Sequence, residues 1–407
     1  MKSFSTSRDL RVALVASSLA QAGAEKQLTY VARAWRENGA AVLVVYLGNE
    51  GHYESALRED GVPIVSLASS GKPWKALWRL MHALVRFRPD IVIAGQFGDL
   101  LHAGIAGRIL NSTLIVGGVR SDGVWELNTY RRRFGLMIRL SHALVACSRF
   151  AKENLVASGV AARKIFLLPN VIDLGSFDER ARNPVAFPFG DSRVVAAAVG
   201  RINHGKRFDR FLEALALARK RAPALAGLII GPDDGERANL EKRALALGLS
   251  ADHLIFAGRS NDVPALLGRS HLLMLTSDFE GFPNVILEAM AARLPIITLG
   301  VGEAGQTVLD QITGFVVDPP SIEMMATRLV QLAHSPALRA ELGEAGRKRV
   351  ETEYEVSFLP DRLRSLYRGM AVQEKRHCLV EKLEKLNATS ACRWTPPGLV
   401  HVGAGSL

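Results

Sequence analysis

Two glutamates, Glu280 and Glu288, stand eight residues apart around a tight turn in SDFEGFPNVILEAMAARLPII, Ser277 to Ile297, a spacing that packing alone does not explain. The preceding HLLML has the character of a buried strand, Gly281 and Pro283 punctuate a turn, and VILEAMAA resumes with helical periodicity and strong helix formers. Glu280 therefore falls at a strand end and Glu288 inside the next helix. Pro283 is pre-set for a first helical turn, so the free amides at the helix start face the crevice that Glu280 lines, which suits an anionic ligand. Glu288 is placed to accept hydrogen bonds from ribose hydroxyls. Negative charge near a helix start is also stabilising in its own right, so the spacing alone leaves a purely structural reading open.

Cations fall at comparable places. In GRINHGKRFD, Arg201 directly follows the apolar run VVAAAVG and Lys206 opens a helix, so both converge on the edge of a sheet where open α/β folds bind ligands. Arginine offers a planar fork to phosphate oxygens and lysine a mobile point charge, so the pair suits a diphosphate, although a solvated lysine at a helix start is the plainer alternative. In SLAQAGAEKQL, small residues and Gly23 end the first strand and let backbone amides approach a ligand closely. Asp233 and Asp234 in GPDDGERANLE resemble a metal-binding carboxylate pair, but a turn before a helix explains them better, and no metal site is expected.

These residues need a scaffold of strand ends and helix starts, and the chain supplies it twice. RVALVAS, AVLVVYL, DIVIAGQ, TLIVGG, HALVACS and IFLLP alternate with helical segments, which predicts a parallel sheet covered on both faces. A turn-rich connector, DLGSFDERARNPVAFPFGD, interrupts the pattern between about Asp173 and Asp191, and VVAAAVG, ALAGLIIG, HLIFAG, HLLMLT and LPIITLG restart it. At 407 residues the chain exceeds one ordinary hydrophobic core, which agrees with two domains of similar size facing a shared cleft. Cys147, Cys378 and Cys392 lack CxxC spacing, so neither a disulfide framework nor a zinc site is indicated and a reducing compartment is expected. The N-terminus imitates a signal peptide, but Asp9, Ser17, Ser18 and Gln21 dilute it and EKQLTYVARAW continues as an amphipathic helix, so strand, loop and helix is the better reading. No run approaches the roughly 20 apolar residues that span a bilayer.

The block from GRINHGKRFD through FAGRSNDVPALL and SDFEGFPNVILEAMAARLPII to GEAGQTVLDQITGFVVDP resembles, in order and spacing, the retaining glycosyltransferases of family 4, also called group 1, which have the GT-B fold. The resemblance covers most of residues 10–370. It implies an α/β architecture of two doubly wound Rossmann-like domains: residues 1–180 on the acceptor side, 190–355 binding a nucleotide-sugar, 356–372 as a closing helix returning to the first domain, and 373–407 as an added, partly disordered tail. By the same resemblance Arg201 and Lys206 hold the donor diphosphate and Glu288 the ribose, while Glu280 and the amides of Gly281, Phe282 and Asn284 contact the donor sugar and distal phosphate. AGAEKQL resembles the family's glycine-rich loop, with Ala22 in place of its usual first glycine, and Arg259 is expected near the base. The implied reaction is a metal-independent glycosyl transfer with retained configuration, without a cofactor, in which the departing phosphate oxygen acts as base. The setting implied is bacterial surface-polysaccharide assembly on the cytoplasmic side.

Many relatives carry a sugar-contacting histidine where TLIVGGVRSDG offers Arg120, Ser121 and Asp122, which makes Arg120 and Asp122 candidates for sugar or acceptor recognition. His102, on an apolar helix, is read as a structural histidine. The formal charge of +11 implies anionic partners. Trp74, Lys75, Trp78, Arg79, Arg86 and Arg88, with Arg131 to Arg133 and Arg139, combine aromatic and basic residues in a way that suits the headgroups of an anionic membrane and a polyprenyl- or lipid-linked glycan acceptor, while an ordinary solvated helix face remains the alternative. No stacking-aromatic module accompanies the charge, so nucleic acid is not an expected partner. A sugar-nucleotide epimerase, a phosphorylase or a noncatalytic nucleotide-binding partner would share the same cleft. In a cytoplasmic protein the NATS pattern in the tail carries no glycosylation meaning.

Overall fold

A computed structural model of the chain describes residues 10–48, 51–67, 73–110 and 114–386. Residues 387–407, with Cys392 and the NATS pattern, lie outside the described residues, as do residues 1–9 of the signal-like segment and the side chain of Trp74. The first sheet contains β1 (Arg11–Ala16), β2 (Ala41–Tyr46), β3 (Ile64–Ser66), β4 (Ile91–Ala94), β5 (Leu114–Val119), β6 (Ala143–Ala146) and β7 (Ile165–Leu167), in the order β3-β2-β1-β4-β5-β6-β7. The second contains β8 (Val194–Val199), β9 (Leu225–Ile230), β10 (Leu254–Gly258), β11 (Leu272–Leu275), β12 (Ile296–Leu299) and β13 (Gly314–Val317), in the order β10-β9-β8-β11-β12-β13. Pairings in both are parallel.

Continuous apolar strands are needed because both faces of each sheet are covered. Along β1, Val12 and Leu14 enter one core while Ala13 and Val15 enter another on the opposite face, and all four are fully buried. In each sheet the strand order reverses once, between β1 and β4 and between β8 and β11. A crevice opens at such a switch point beyond the carboxyl ends of the strands. It is there that the loop before Gly23, the segment from Arg201 to Lys206 and the turn at Glu280 emerge.

Two strands were not among those the periodicity names: β3, with three residues, and β13, with four. Both are edge strands too short to display a period. The connector expected after Asp173 contains the helix Leu174–Ala181, whose Leu174 and Phe177 share a core with Ile286, Leu287 and Leu267. This end of the expected first domain, 1–180, therefore sits with the second sheet. The chain returns along the helix Leu359–Gln373, where Leu359, Leu363, Tyr367, Met370 and Ala371 join the core around β1. Tyr367 meets the buried Trp35 edge-on at 5.1 Å, and Asn38 donates to the Pro360 carbonyl at 2.8 Å. The following helix His377–Glu384 is anchored by Lys382 on Asp90 at 2.7 Å. Where the chain crosses between the sheets, Ile172 N–H donates to the Tyr354 carbonyl and Val356 N–H to that of Ile172, each at 2.9 Å.

Trp35 is fully buried in the helix Gly23–Glu37 and is the ring on which the returning helix docks. Replacing it with alanine is expected to destabilise the first unit by about 3–5 kcal/mol, read as an earlier first transition in urea unfolding. An unchanged first transition would show that the docked helix does not hold this unit together.

Candidate active site

The helix carrying Glu288 spans Asn284–Ala291 and begins directly after Pro283, whose extended backbone caps it. The turn before it packs against the first unit: a Cβ on Gly281 would lie 2.6 Å from the Ser121 carbonyl oxygen and 2.8 Å from that of Arg120. Only glycine permits that approach. Phe282 is buried and meets Tyr354 edge-on at 5.7 Å. Asn170 donates to the Phe282 carbonyl at 3.2 Å and to Asn284 Oδ1 at 2.9 Å, while Asn284 Nδ2 donates to the Gly23 carbonyl at 3.2 Å. Gln27 completes this seam by donating to Asn284 Oδ1 and exchanging two hydrogen bonds with the Val171 backbone.

Lys206 and Glu280 meet at 2.6 Å, and Ser277 Oγ donates to the same Glu280 oxygen at 2.7 Å. Lys206 ends a short 3-10 turn, His204–Lys206, instead of lying in the helix Phe208–Arg219 that follows. Arg207 between them adopts a left-handed backbone with φ of 50°. Its guanidinium binds Asp209 and Asp278, and Arg210 reaches Asp278 at 2.6 Å. Hydrogen bonds to the two carboxylates outweigh burial and raise the Arg207 pKa above the ordinary guanidinium range. This network fixes the loop beneath Lys206. Sequence reasoning passed over it, although GKRFD and SDFEG contain its members.

Arg201 projects from the end of β8 with 71% of its side chain exposed and reaches Asp234 at 3.5 Å. Asp233 accepts from the Gly235 and Arg237 amides, as a turn before a helix requires. Among the described residues no group of three or more histidine, cysteine or acidic side chains is arranged to hold a metal. Arg259 is exposed just beyond β10. Glu288 Oε1 receives Lys26 Nζ at 2.8 Å, a contact between the units that sequence reasoning missed although Lys26 lies in AGAEKQL. Burial opposes the Lys26 charge, but the charge and hydrogen bond of Glu288 prevail and raise the lysine pKa above its ordinary value.

The residues standing where relatives have a histidine divide. Arg120 places NH1 3.4 Å from Asn170 Oδ1, its Nε is sealed from solvent without a hydrogen-bond partner, and burial lowers its pKa. It therefore borders the Phe282–Asn284 seam. Asp122 is turned to local work: it is buried, and its Oδ1 accepts from the Trp125 amide at 2.8 Å. His102 is half-buried on the helix Leu100–Ile109, and burial lowers its pKa. Farther along the same interface, a cleft of about 480 Å³ is lined by Cys147, Arg149, Glu303, Arg349, Tyr354 and Arg362, among others, and does not include the Lys206–Glu280 pair.

With this geometry in view, two family models match the chain side by side: the one described as glycosyltransferase family 4 over residues 22–176 and the one described as glycosyl transferases group 1 over residues 179–349. The chain belongs to the group 1, family 4 glycosyltransferases. Among similar proteins, the capsular polysaccharide biosynthesis glycosyltransferase CapM of Staphylococcus aureus is 25% identical over 56% of this chain and 59% of its own length. The alpha-D-kanosaminyltransferase of Streptomyces kanamyceticus is 31% identical over 45% of this chain and 47% of its own. The matched region thus spans about half the length of these relatives. The fold is that of the GT-B glycosyltransferases: HepE of Anabaena, solved with UDP and glucose, superposes with a TM-score of 0.76 at 19% identity, over 87% of this chain and 98% of that one.

Behind the loop that leads to Gly23, this family member holds a buried acid. Asp99 accepts from Ser17 Oγ and, at 2.9 Å, from the Gln96 amide, and Glu25 accepts from Ser18 Oγ and Gln96 Nε2. Burial pushes the Asp99 pKa up to about 7 against those hydrogen bonds. The folded protein therefore keeps a proton here that the unfolded chain releases near pH 4, so this contribution to stability is full at low pH and is lost as pH rises through about 7. The melting difference between wild type and Asp99→Asn should shift against the wild type across that window. A difference independent of pH would show that Asp99 is ionised throughout.

Proposed function

We propose that the protein transfers a sugar, with retained anomeric configuration, from a nucleotide-sugar donor to a glycan or lipid-linked acceptor in the assembly of a bacterial surface polysaccharide. The observation that carries this reading is the Lys206–Glu280 pair, 2.6 Å apart at the switch point of the second sheet and beside a turn that only glycine allows against the first unit. A relative whose name includes capsular polysaccharide biosynthesis, and a structural neighbour solved with UDP and glucose, support it.

Breaking the bond between the anomeric carbon and the diphosphate oxygen leaves negative charge on the leaving group and oxocarbenium character on the sugar. Lys206 has three N–H donors and spends one on Glu280, leaving two for the diphosphate. Arg201, exposed and, among the described residues, held by a long contact to Asp234, swings onto the same oxygens, joined by the amides of Gly281, Phe282 and Asn284. Glu280, oriented by Lys206 and Ser277, faces the sugar as its positive charge grows. The acceptor oxygen bonds to the anomeric carbon on the face that the leaving group vacates, and its proton passes to the departing phosphate oxygen. Arg259 lies toward the base, Arg120 toward the sugar or acceptor, and Asp122 supports the turn that carries Arg120. Since Lys206 and Arg201 meet the diphosphate charge, the scheme uses neither metal nor cofactor.

The acceptor side is proposed to rest on the anionic inner face of the cytoplasmic membrane, holding the protein at the periphery of the cytoplasm. On the helix Pro73–Phe87, Trp78 and Val85 are exposed beside Arg79 and Arg86; Trp125 and Leu136 are exposed beside Arg131, Arg132, Arg133 and Arg139. Exposed apolar groups flanked by cations match a headgroup layer. No described helix is long and apolar enough to cross a membrane.

A thermal-shift panel of UDP-, GDP-, ADP- and dTDP-sugars tests the donor reading. One nucleotide class at about 100 times its dissociation constant should stabilise the wild type by about 2.7 kcal/mol, and Glu288→Ala should lose the effect. If no donor shifts the wild type, a noncatalytic role gains ground. For the membrane, cosedimentation with phosphatidylglycerol vesicles at low salt should fall steeply in a variant with glutamate at positions 131–133, whereas equal binding by both proteins removes this surface from the reading.

A further inference from the structure

The turn that carries Glu280 contains two phenylalanines in opposite surroundings. Phe282 is 6% exposed and packs on Tyr354, whereas Phe279 is 70% exposed and makes no ring contact among the described residues. The residues on either side of Phe279 are tied. The Asp278 amide donates to the Gly205 carbonyl at 3.0 Å while its carboxylate holds Arg207 and Arg210. Ser277 and Lys206 fix the Glu280 carboxylate, and Glu303 N–H donates to the Gly281 carbonyl at 3.2 Å. A turn pinned on both flanks presents the ring between them from a fixed backbone, so little ordering is left for a ligand to impose. Phe279 is thus a preorganised apolar surface next in the chain to Glu280, and adjacent α-carbons stand about 3.8 Å apart.

A lone exposed phenylalanine is ordinary on a protein surface, and only its place makes this one informative. A headgroup layer is not its complement, because the side chains flanking it in the turn are the carboxylates of Asp278 and Glu280, where an anionic membrane requires cations. A hexopyranose is a better match. One face of such a ring consists of C–H bonds although its rim carries hydroxyls, and the negative face of an aromatic quadrupole attracts those slightly positive hydrogens. The donor sugar takes the position that Glu280 faces, so the surface beside it falls to the group that receives the sugar. We propose that Phe279 stacks on a hexopyranose residue of the acceptor and thereby selects a glycan terminus over a bare lipid phosphate. The inference rests on the transfer reading above and deepens it in two ways: it assigns an acceptor contact to the second unit, and it requires that another transferase has already placed a hexose on the acceptor.

The test follows nucleotide release from the donor class that the thermal-shift panel selects, with the methyl α- and β-glycosides of glucose, galactose, mannose and N-acetylglucosamine as acceptor probes. At least one glycoside should accelerate release by the wild type. In Phe279→Ala the KM for that glycoside should rise about tenfold, while kcat at saturation and the dissociation constant of the nucleotide-sugar stay near their wild-type values. Phe279→Tyr, which keeps the aromatic face, should recover the wild-type KM, and Phe279→Leu, apolar but without that face, should not. An unchanged glycoside KM in Phe279→Ala, or full recovery by leucine, would overturn the proposal. So would a loss of nucleotide-sugar affinity as large as the rise in glycoside KM, which would show that the ring only supports the glutamate turn. Weaker binding of Phe279→Ala to phosphatidylglycerol vesicles with no change in glycoside KM would give the ring to the membrane instead. A wild type that binds donor but responds to none of the glycosides also overturns the stacking role, whereas one that binds no donor removes the transfer reading itself.

Discussion

A missing methyl group determines how close the two halves of this molecule stand. With a Cβ on Gly281 only 2.6 Å from the Ser121 carbonyl, the turn that carries Glu280 would have to withdraw from the end of β5, and Phe282, Asn284 and the start of the Glu288 helix would withdraw with it. Four bonds that join the units near the chemistry lie within reach of that contact: Asn170 on the Phe282 carbonyl, Asn284 on Gly23, Gln27 on Asn284 and Lys26 on Glu288. The same crowding recurs at Gly23, where a Cβ would fall 2.5 Å from Asn284 Nδ2. Both glycines serve close approach, so the site is made by subtraction as much as by the side chains that line it.

Charge in the cleft is organised in two layers. The inner layer, Arg207 and Arg210 with Asp278 and Asp209, is locally balanced and binds loop to loop. It holds the left-handed Arg207 in place and so sets where Lys206 leaves the backbone. The outer layer is left with capacity: Lys206 and Lys26 each satisfy one carboxylate oxygen, and Arg201 is mostly exposed. A ligand carrying negative charge can thus be received without first dismantling the supports, since the cations it needs are not those that hold the loop. Preorganisation of this kind keeps the reorganisation cost low when charge develops.

The sequence displayed the strand ends and helix starts well, because long buried parallel strands are continuous apolar runs and the helices between them have a clear period. Glu280, Glu288, Arg201 and Lys206 were visible for the same reason: each lies one or two turns from a strand whose position was plain. What stayed hidden depends on contacts across large sequence separations. Lys26 is 262 residues from Glu288, and no local pattern in AGAEKQL points to that partner. Asn170 looks like an ordinary connector residue until it is seen between Arg120 and Phe282. The helix Leu174–Ala181 was concealed by turn-forming neighbours, and its membership in the second unit follows only from Leu174 and Phe177 packing with the Glu288 helix. Asp122 Oδ1 accepts from the Trp125 amide, a local bond that the place of Asp122 among the site candidates did not suggest.

The two crossings explain why a site divided between units can keep its dimensions. The outgoing segment at Ile172 and the returning one at Tyr354 to Val356 run side by side and exchange two backbone hydrogen bonds of 2.9 Å, so the link is a short two-stranded ribbon and not a pair of independent tethers. Sliding one unit along the other would break both bonds. Tyr354 ties this ribbon to the site, because its ring meets Phe282 of the glutamate turn at 5.7 Å. The returning helix then buries Leu363 and Tyr367 in the first core beside Trp35, which anchors the far end of the ribbon on the unit that supplies Gly23 and Lys26. The closing segment lies far from the reactive groups in sequence, yet through Tyr354 against Phe282 it bears directly on the turn that carries Glu280.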